Sequence, residues 1–222
     1  MSLIRLENLN KIYASQAGNV HAINNISSDF KAGEFTSIVG PSGCGKTTLL
    51  NAIGGLDKPN SGKIWIDNTD ITSMGDKVLI DFRLRNIGFV FQAYNLIPVL
   101  TALENTTFIL ELQGAEKKVR NERGMELLKA VGLEDKANSR PNQLSGGQQQ
   151  RVAVARALAS RPRFVLADEP TANLDSKSTE TLLDIMAELN SKEGTTFIFS
   201  THDQRVIDRA RRIICLEDGR IK

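Results

Sequence analysis

Apolar and polar residues alternate over several short stretches in the first part of the chain. A period of two is typical of β-strands, because successive side chains of a strand point to opposite faces. One short helical pattern, LLNAIGG, interrupts these stretches and ends at Gly54 and Gly55. The predicted strands are LIRLENL, VHAINNIS, FTSIVG, SGKIWIDNTDI and IGFVFQ.

Helical spacing replaces this alternation between about Tyr94 and Arg161. Leu127, Leu128 and Val131 fall on one face of a predicted helix, and lysines and arginines occupy the rest of it. The segments LTALENTTFILELQG and GGQQQRVAVARALAS also carry helical spacing. This stretch is therefore predicted to be a helical insertion between strands.

Strands and helices alternate again in the last part of the chain. RFVLAD and TTFIFST are predicted strands, KSTETLLDIMAELNSKEG and DQRVIDRA are predicted helices, and RIICLEDGRI is a predicted final hairpin. Such alternation predicts a parallel sheet flanked by helices. We expect one α/β domain over residues 1–222, with a core formed by 1–93 and 162–222 and a helical subdomain at 94–161.

The composition is ordinary for a soluble globular protein. The 222 residues carry 28 basic and 26 acidic side chains, a net charge of +2, which is too small to favour nucleic acid as the main partner. Two cysteines exclude a disulfide framework and fit a reducing compartment. No apolar run approaches the roughly 18 residues that span a bilayer. We therefore expect a soluble chain that does not insert into a membrane; any work at a membrane would need another polypeptide.

A glycine-rich segment, GPSGCGKT, runs from Gly40 to Thr47 and matches G-x-x-x-x-G-K-[ST]. It follows an apolar strand and opens a helix, so that its backbone amides and the helix dipole can bind phosphate. Lys46 is expected to reach the β and γ phosphates, and the Thr47 hydroxyl to bind Mg²⁺. The alternative is an ordinary glycine-rich turn. The motif indicates a nucleoside triphosphate without fixing the chemistry, although no guanine-reading N-K-x-D is present.

A second helix start with anion-binding character occurs at LSGGQQQR. Ser145 is a good N-cap, and Gly146, Gly147 and Gln148 follow it. The alternative is a simple capped helix. Since one nucleotide can hardly use two such helix starts from one chain, we expect a head-to-tail homodimer. Each nucleotide would lie between the glycine-rich loop of one copy and the Ser145–Gln148 turn of the other.

These motifs and the segment FVLADE, in this order, resemble the ATP-binding cassette (ABC) ATPases over essentially the whole chain. The resemblance implies a P-loop NTPase fold with a RecA-like parallel sheet, an N-terminal antiparallel β subdomain and a helical signature subdomain. It also implies an ATP hydrolase that uses ATP and Mg²⁺. ATP contacts are then implied for Gly40, Pro41, Ser42, Gly43, Cys44, Gly45, Lys46, Thr47 and Thr48, and for the Ser145–Gln148 turn.

The resemblance also gives roles to residues beyond the glycine-rich loop. Asp168 would bind Mg²⁺, and Glu169 would polarise the attacking water; the alternative for this pair is capping of the following helix. Gln92 resembles the glutamine that contacts Mg²⁺ or water and senses the membrane partner. His202 resembles the switch histidine at the γ-phosphate. Two further matches concern ATP binding. Tyr13 resembles the aromatic residue that stacks on adenine; the alternative is a half-buried aromatic residue of a strand. Asp175 resembles the aspartate of the loop that crosses the dimer interface; the alternative is a helix cap, and both roles can hold together.

Several segments resemble one branch, the lipoprotein-release and macrolide-exporter ATPases (the LolD/MacB type). They are GGLDKPNSG, FVFQAYNLIPVLTALEN and LSGGQQQRVAVARALA. The branch implies a cytoplasmic subunit, peripheral on the inner face of the membrane, that powers export or extraction. Its partner would be a membrane permease with about four helices and a large extracytoplasmic domain. We expect the partner to dock on residues 92–104.

Two other functions stay open, a soluble ABC ATPase that acts on DNA or ribosomes and an importer ATPase. The chain has no long heptad stretch, carries a single cassette, and ends just after the last hairpin. The first feature disfavours action on DNA, the second disfavours action on ribosomes, and the third disfavours an importer, which often carries an added C-terminal regulatory domain.

One further hypothesis concerns Cys44, which lies close to Lys46 in the glycine-rich loop. We expect its thiol to be alkylated, with loss of turnover, unless bound ATP protects it; the alternative is an inert small residue.

Overall fold

The structure, a computed structural model, describes residues 2–15 and 18–222 and contains two β-sheets. Within these residues the strands are β1 (Ser2–Ser15), β2 (Gly18–Lys31), β3 (Phe35–Val39), β4 (Ser61–Ile66), β5 (Thr69–Asp70), β6 (Ile87–Val90), β7 (Phe164–Asp168), β8 (Thr196–Ser200), β9 (Arg212–Glu217) and β10 (Arg220–Ile221). The helices are α1 (Lys46–Ile53), α2 (Asp76–Asn86), α3 (Ala102–Leu112), α4 (Lys117–Ala130), α5 (Gly146–Leu158), α6 (Ser176–Glu193) and α7 (Gln204–Arg209). Short 3-10 turns lie at Glu134–Lys136 and Pro141–Gln143.

The smaller sheet is antiparallel, with strand order β2-β1-β4-β5. Its register pairs Ile4 with Ile66 and Leu6 with Ile64, and all four side chains are buried. Arg5, between two of them, is exposed. The alternation of apolar and polar residues in the sequence is thus the pattern of a sheet with one buried face.

The larger sheet has strand order β10-β9-β3-β8-β7-β6, and only the β9–β10 pair is antiparallel among the described strands. Successive residues of β7 pack on opposite sides. Leu166 joins a core with Leu50 of α1, and Val165 joins a core with Val154 of α5 and Met186 of α6. Both faces are covered, which explains why the central strands read as continuous apolar runs.

Helices α3, α4 and α5 pack together within the stretch for which helical spacing was predicted. Leu127, Leu128 and Val131 are fully buried against them. The fully buried Asn105 fixes the segment before α3. Its amide donates to the carbonyl oxygens of Ile97, Leu100 and Thr101 and accepts from the Ile97 N–H at 2.7 Å. This polar contact holds residues 97–101 in one conformation.

Helix α2 is an element that the sequence analysis did not assign. Its apolar residues Val78 and Ile80 are exposed, while Leu79 between them is buried. Because these adjacent apolar residues lie on different faces of the helix, the sequence shows no helical period here and predicts neither a helix nor a strand. Among the described residues, no helix has both the length and the apolar character that a bilayer crossing requires.

A buried amide at the end of α6 joins this helix to the edge of the sheet where the parallel strands begin. The Asn190 amide donates to the carbonyl oxygens of Gly33 at 3.0 Å and Thr195 at 2.6 Å. Its own oxygen accepts from the Arg211 guanidinium at 2.6 Å. The opposite edge, where β3, β6, β7 and β8 end, carries the residues that the motifs single out. In an open α/β sheet, ligands bind at this carboxyl edge.

Candidate functional site

The glycine-rich loop follows β3 and passes very close to other backbone. A Cβ atom on Gly40 would lie 2.1 Å from the Leu216 carbonyl oxygen, and one on Gly45 would lie 2.1 Å from that of Ala22. Both glycines also have positive φ, at +155° and +104°. Side chains are therefore excluded by space as well as by conformation. Gly45 is the N-cap of α1 and offers no side chain to the first amides of this helix.

The Lys46 ammonium lies folded over this loop. Its Nζ donates to the carbonyl oxygens of Gly40 at 2.8 Å and Pro41 at 3.0 Å, and the residue is only 8% exposed. A buried ammonium beside the start of a helix makes the loop strongly attractive to anions. The loop therefore has the charge and the free helix start that a phosphate group requires.

Two carboxylates at the end of β7 point in different directions. The Thr47 hydroxyl donates to Asp168 Oδ1 at 3.0 Å, and the Ser200 hydroxyl donates to the same oxygen. The adjacent Glu169 instead places its Oε1 2.8 Å from His202 Nδ1. A hydroxyl beside a carboxylate supplies the hard oxygen ligands that Mg²⁺ prefers, in the small number it usually takes from protein. The residues at Asp168 thus fit a magnesium ion.

The Glu169 side chain has an unused oxygen. Oε2 is buried and has no hydrogen-bond partner among the described residues. The backbone of Glu169 is in the left-handed region with φ +45°, and its N–H donates to the Ser200 carbonyl oxygen at 2.9 Å. A carboxylate held in a strained conformation with a free buried oxygen is typical of a functional position.

A cleft of about 790 Å³ brings most of the predicted nucleotide site together. This volume is within the range of small-molecule sites. Its lining includes Tyr13 of β1, and also Gln92, Glu169 and His202, which follow the ends of different strands. The lining residues from the loop and α1 are Gly40, Pro41, Ser42, Gly43, Gly45, Lys46, Thr47 and Thr48.

Cys44 differs from the rest of the loop because its side chain points into the protein. It is 6% exposed and packs in the core with Leu49 and Ile38. Its Sγ would lie 2.8 Å from a Cβ on Gly40. The reagent access that the sequence-based hypothesis required is therefore missing in the folded chain.

The second predicted anion site is separate from this cleft. Ser145 Oγ accepts from the Gln148 N–H at 3.3 Å, and Gln148 Oε1 accepts from the Ser145 N–H at 2.8 Å, forming a capping box at the start of α5. Gly146 and Gly147 follow the cap, and a Cβ on either would lie within 3 Å of a neighbouring side chain. Ser145–Gln148 contribute no residue to the described lining of the cleft.

Asp175 also lies outside the lining of the cleft and caps α6. Its carboxylate accepts from the Ser178 N–H at 2.9 Å and the Ser178 hydroxyl at 2.8 Å. The backbone hydrogen bond from Ser178 lowers the pKa of Asp175, so the carboxylate is ionised. The helix-cap interpretation of Asp175 is confirmed by this geometry.

Contacts between distant loops are features that the sequence analysis missed. Asn173 Nδ2 donates to the Gln92 carbonyl oxygen at 2.9 Å. The Arg156 guanidinium of α5 donates to the carbonyl oxygens of Tyr94 at 2.8 Å and Asn95 at 2.5 Å, and burial lowers its pKa. Tyr94 and Asn95 both have positive φ, near +59° and +51°. In the sequence only Asn95, a residue type that tolerates positive φ, indicates a turn here. The residues that hold this loop, Arg156 and Asn173, lie far away in the sequence.

Known proteins match the chain over nearly its whole length. The family model described as ABC transporter matches residues 23–172. The uncharacterized ABC transporter ATP-binding protein MJ0796 of Methanocaldococcus jannaschii is 48% identical over 99% of this chain and 95% of its own. The lipoprotein-releasing system ATP-binding protein LolD of Bacteroides thetaiotaomicron is 44% identical over 99% of both chains. A solved dimeric structure of MJ0796 in a post-hydrolysis state, bound to ADP and Pi, has a TM-score of 0.91 at 46% identity, covering 99% and 96% of the two chains.

Proposed function

The chain belongs to the ABC transporter family of ATP-binding, ATP-hydrolysing subunits, and on this premise we propose that it powers export or extraction of a substrate through a separate membrane subunit. The substrate class is a lipoprotein, a drug or a peptide. The lipoprotein-releasing relative, which matches over the full length of both chains, supports the first of these.

The cleft residues divide the work of hydrolysis. Lys46 and the loop amides hold the β and γ phosphoryl oxygens, and His202 holds Glu169 through Oε1. The unpartnered Oε2 of Glu169 then orients the water that attacks the γ-phosphorus and takes its proton as the bond to ADP breaks. Thr47 and Asp168, with Gln92, would hold Mg²⁺, which when bound neutralises charge on the phosphoryl oxygens.

Tyr13, at the wall of the cleft, supplies an aromatic face for adenine. Its ring lines the same cleft as the glycine-rich loop, so one nucleotide can contact both. Aromatic stacking of this kind contributes on the order of 1–3 kcal/mol per base. ATP is therefore held at both ends by one chain.

A homodimer completes the site. The Ser145–Gln148 turn lies outside the lining of the cleft of its own chain, and the solved MJ0796 cassettes are dimeric. We propose that the turn and Asp175 of one copy approach the nucleotide of the other. Dimerisation then depends on ATP, because the nucleotide is part of the interface.

The membrane partner docks on residues 92–104, on the side of the helical insertion. Val99 is 71% exposed, and Pro98 and Asn95 beside it are exposed too. Asn105 holds this segment in place from beneath. An apolar side chain on a fixed, exposed segment is suited to a protein interface. This segment is the observation that supports the proposal of a membrane partner. With that partner bound there, the chain would be a peripheral subunit on the inner face of the cell membrane.

Co-purification from membranes tests the proposal. The tagged protein is expressed in its native cells, the membranes are solubilised in mild detergent with ATP and vanadate, and co-purifying proteins are identified. We expect an integral membrane protein with about four spans and a large extracytoplasmic domain. Recovery of ribosomes or DNA would favour a non-transport ATPase, and recovery of a permease with a solute-binding protein would favour an importer.

A matched pair of variants makes the experiment specific to the docking segment. Val99→Glu should lose the membrane protein while ATP binding persists. Ile213→Glu is the control, because Ile213 is also an exposed apolar residue but lies on β9, four strand positions from β6 in the sheet. Equal recovery of the membrane protein with both variants would contradict docking on residues 92–104.

A further inference from the structure

Two charged side chains hold the Tyr13 ring in one position. The Tyr13 hydroxyl donates to Asp57 Oδ2 at 2.5 Å. The Lys11 ammonium forms an ion pair with the other oxygen of Asp57 and lies 5.1 Å from the centre of the Tyr13 ring. Lys11 also donates to the Lys58 carbonyl oxygen at 2.8 Å. The tip of the ring and one of its faces are therefore both occupied by protein groups.

The ionisation of these groups supports the same arrangement. Partial burial and the hydrogen bond to Asp57 raise the pKa of Tyr13, so its hydroxyl remains a donor at neutral pH. Burial alone would raise the pKa of Asp57, but the hydrogen bonds from Lys11 and Tyr13 lower it. The carboxylate is therefore charged and accepts from both neighbours.

The segment that carries Asp57 also connects the strand of Tyr13 to α1, the helix that follows the glycine-rich loop. The Asp57 N–H donates to the Asn51 carbonyl oxygen of α1 at 3.3 Å. Three residues further on, Asn60 accepts from the Ile12 N–H at 2.8 Å through its side chain. Strand β1 near Tyr13 is thus attached to α1, whose first residue is Lys46. The aromatic residue and the phosphate loop are therefore connected through the segment that carries Asp57 and Asn60.

The free face of the ring is the one that a base can use. Tyr13 lines the nucleotide cleft, whereas Lys11 is absent from its described lining. We propose that Lys11 and Asp57 are positioning residues that hold Tyr13 ready to stack on adenine, and that they set the preference of the site for ATP over a triphosphate without a base. The inference rests on the adenine contact of Tyr13 in the proposed function.

Removal of the hydroxyl alone tests the inference. Tyr13→Phe keeps the aromatic face, so stacking alone predicts an unchanged Kd for ATP. Our inference predicts a Kd for ATP that is about threefold to tenfold higher, because the freed ring must be ordered on binding. The Kd for inorganic triphosphate, which has no base, should not change and also reports that the loop is folded. An unchanged Kd for ATP, or an equal loss for both ligands, overturns the inference.

A double-mutant cycle assigns the effect to Asp57. Asp57→Ala should raise the Kd for ATP in the wild type but add less in the Tyr13→Phe background, because both changes remove the hydrogen bond between Tyr13 and Asp57. Additive effects would contradict the positioning role. Lys11→Met should lower the preference for ATP over inorganic triphosphate. Lys63→Met is its control, since Lys63 lies 5.5 Å from the ring centre of Trp65 on the same sheet, and it should leave this preference unchanged.

Tyr13→Ala separates failure of the inference from failure of the proposed function. If it weakens ATP binding while Tyr13→Phe does not, the adenine contact stands and the positioning role is wrong. If Tyr13→Ala leaves the Kd for ATP unchanged, adenine does not bind at this ring, and the proposed adenine contact fails together with the inference.

Discussion

Replacement of Glu169 should separate catalysis from nucleotide binding. Glu169→Gln keeps the size of the side chain but cannot accept a proton, and no nucleotide-binding contact is removed. General-base catalysis contributes roughly 10²–10⁴-fold, which corresponds to about 3–5 kcal/mol in the activation barrier. We expect single-turnover hydrolysis to fall by this factor while the Kd for ATP stays close to that of the wild type. A rate within tenfold of the wild type would refute the assignment.

The backbone of Glu169 adds a second, independent measurement. With φ +45°, a residue with a Cβ costs about 1–2 kcal/mol in the left-handed region. Glycine avoids this cost but loses about 0.4–1 kcal/mol through the freedom of the unfolded chain. Glu169→Gly should therefore be more stable than Glu169→Ala by up to about 1.5 kcal/mol, or roughly 3–6 °C in Tm. Both variants lack the carboxylate, so both should hydrolyse ATP at least as slowly as Glu169→Gln. A higher Tm for Glu169→Ala would refute the strain argument.

Three further predictions concern stability and reactivity. Asn190→Leu should lower the free energy of unfolding by about 3 kcal/mol, measured by urea denaturation, because it removes the three hydrogen bonds that the buried Asn190 side chain makes to Gly33, Thr195 and Arg211. Hydrogen bonds from Arg205 lower the pKa of Asp203 from 3.8 to about 2, so its stabilising contribution is complete above about pH 4 and is lost as the pH falls towards 2; Asp203→Asn should flatten the unfolding free energy over this window. In the folded protein iodoacetamide should label the exposed Cys215 and spare Cys44 until denaturant is added, and equal labelling of both would contradict the burial of Cys44.

Local patterns were sufficient to predict most of the residues that line the cleft, although Val20 and Ala22 also line it and were not predicted. The glycine-rich loop, the acid pair and His202 each follow an apolar strand in the sequence, and parallel strands bring such residues to one edge. Sequence alone also indicated that Asp175 could cap a helix. The order of the strands in the larger sheet was not predictable, because it depends on packing between segments far apart in the chain.

Contacts between segments far apart in the sequence were also not predicted. Asp57 is 44 residues from Tyr13 in the sequence, and nothing in the loop after Gly55 indicates an aromatic partner. The accessibility of the Cys44 thiol depends on the direction in which its side chain points within the glycine-rich loop, and a sequence motif does not encode that direction. Helix α2 was missed because its exposed apolar residues hide its period. In each case the missing information is three-dimensional packing.

Helix α5 connects the loop after Gln92 to the Ser145 turn. Near the C-terminal end of the helix, the Arg156 guanidinium donates to the carbonyl oxygens of Tyr94 and Asn95, and Ser145 caps its N-terminal end. Arg156 lies eleven positions after Ser145, a length of roughly 16 Å that a helix does not readily change. A shift of residues 94 and 95 that keeps these hydrogen bonds would therefore move the Ser145 turn, because the helix between them keeps its length. Such coupling would be only as strong as the two hydrogen bonds by which Arg156 holds the carbonyl oxygens of Tyr94 and Asn95.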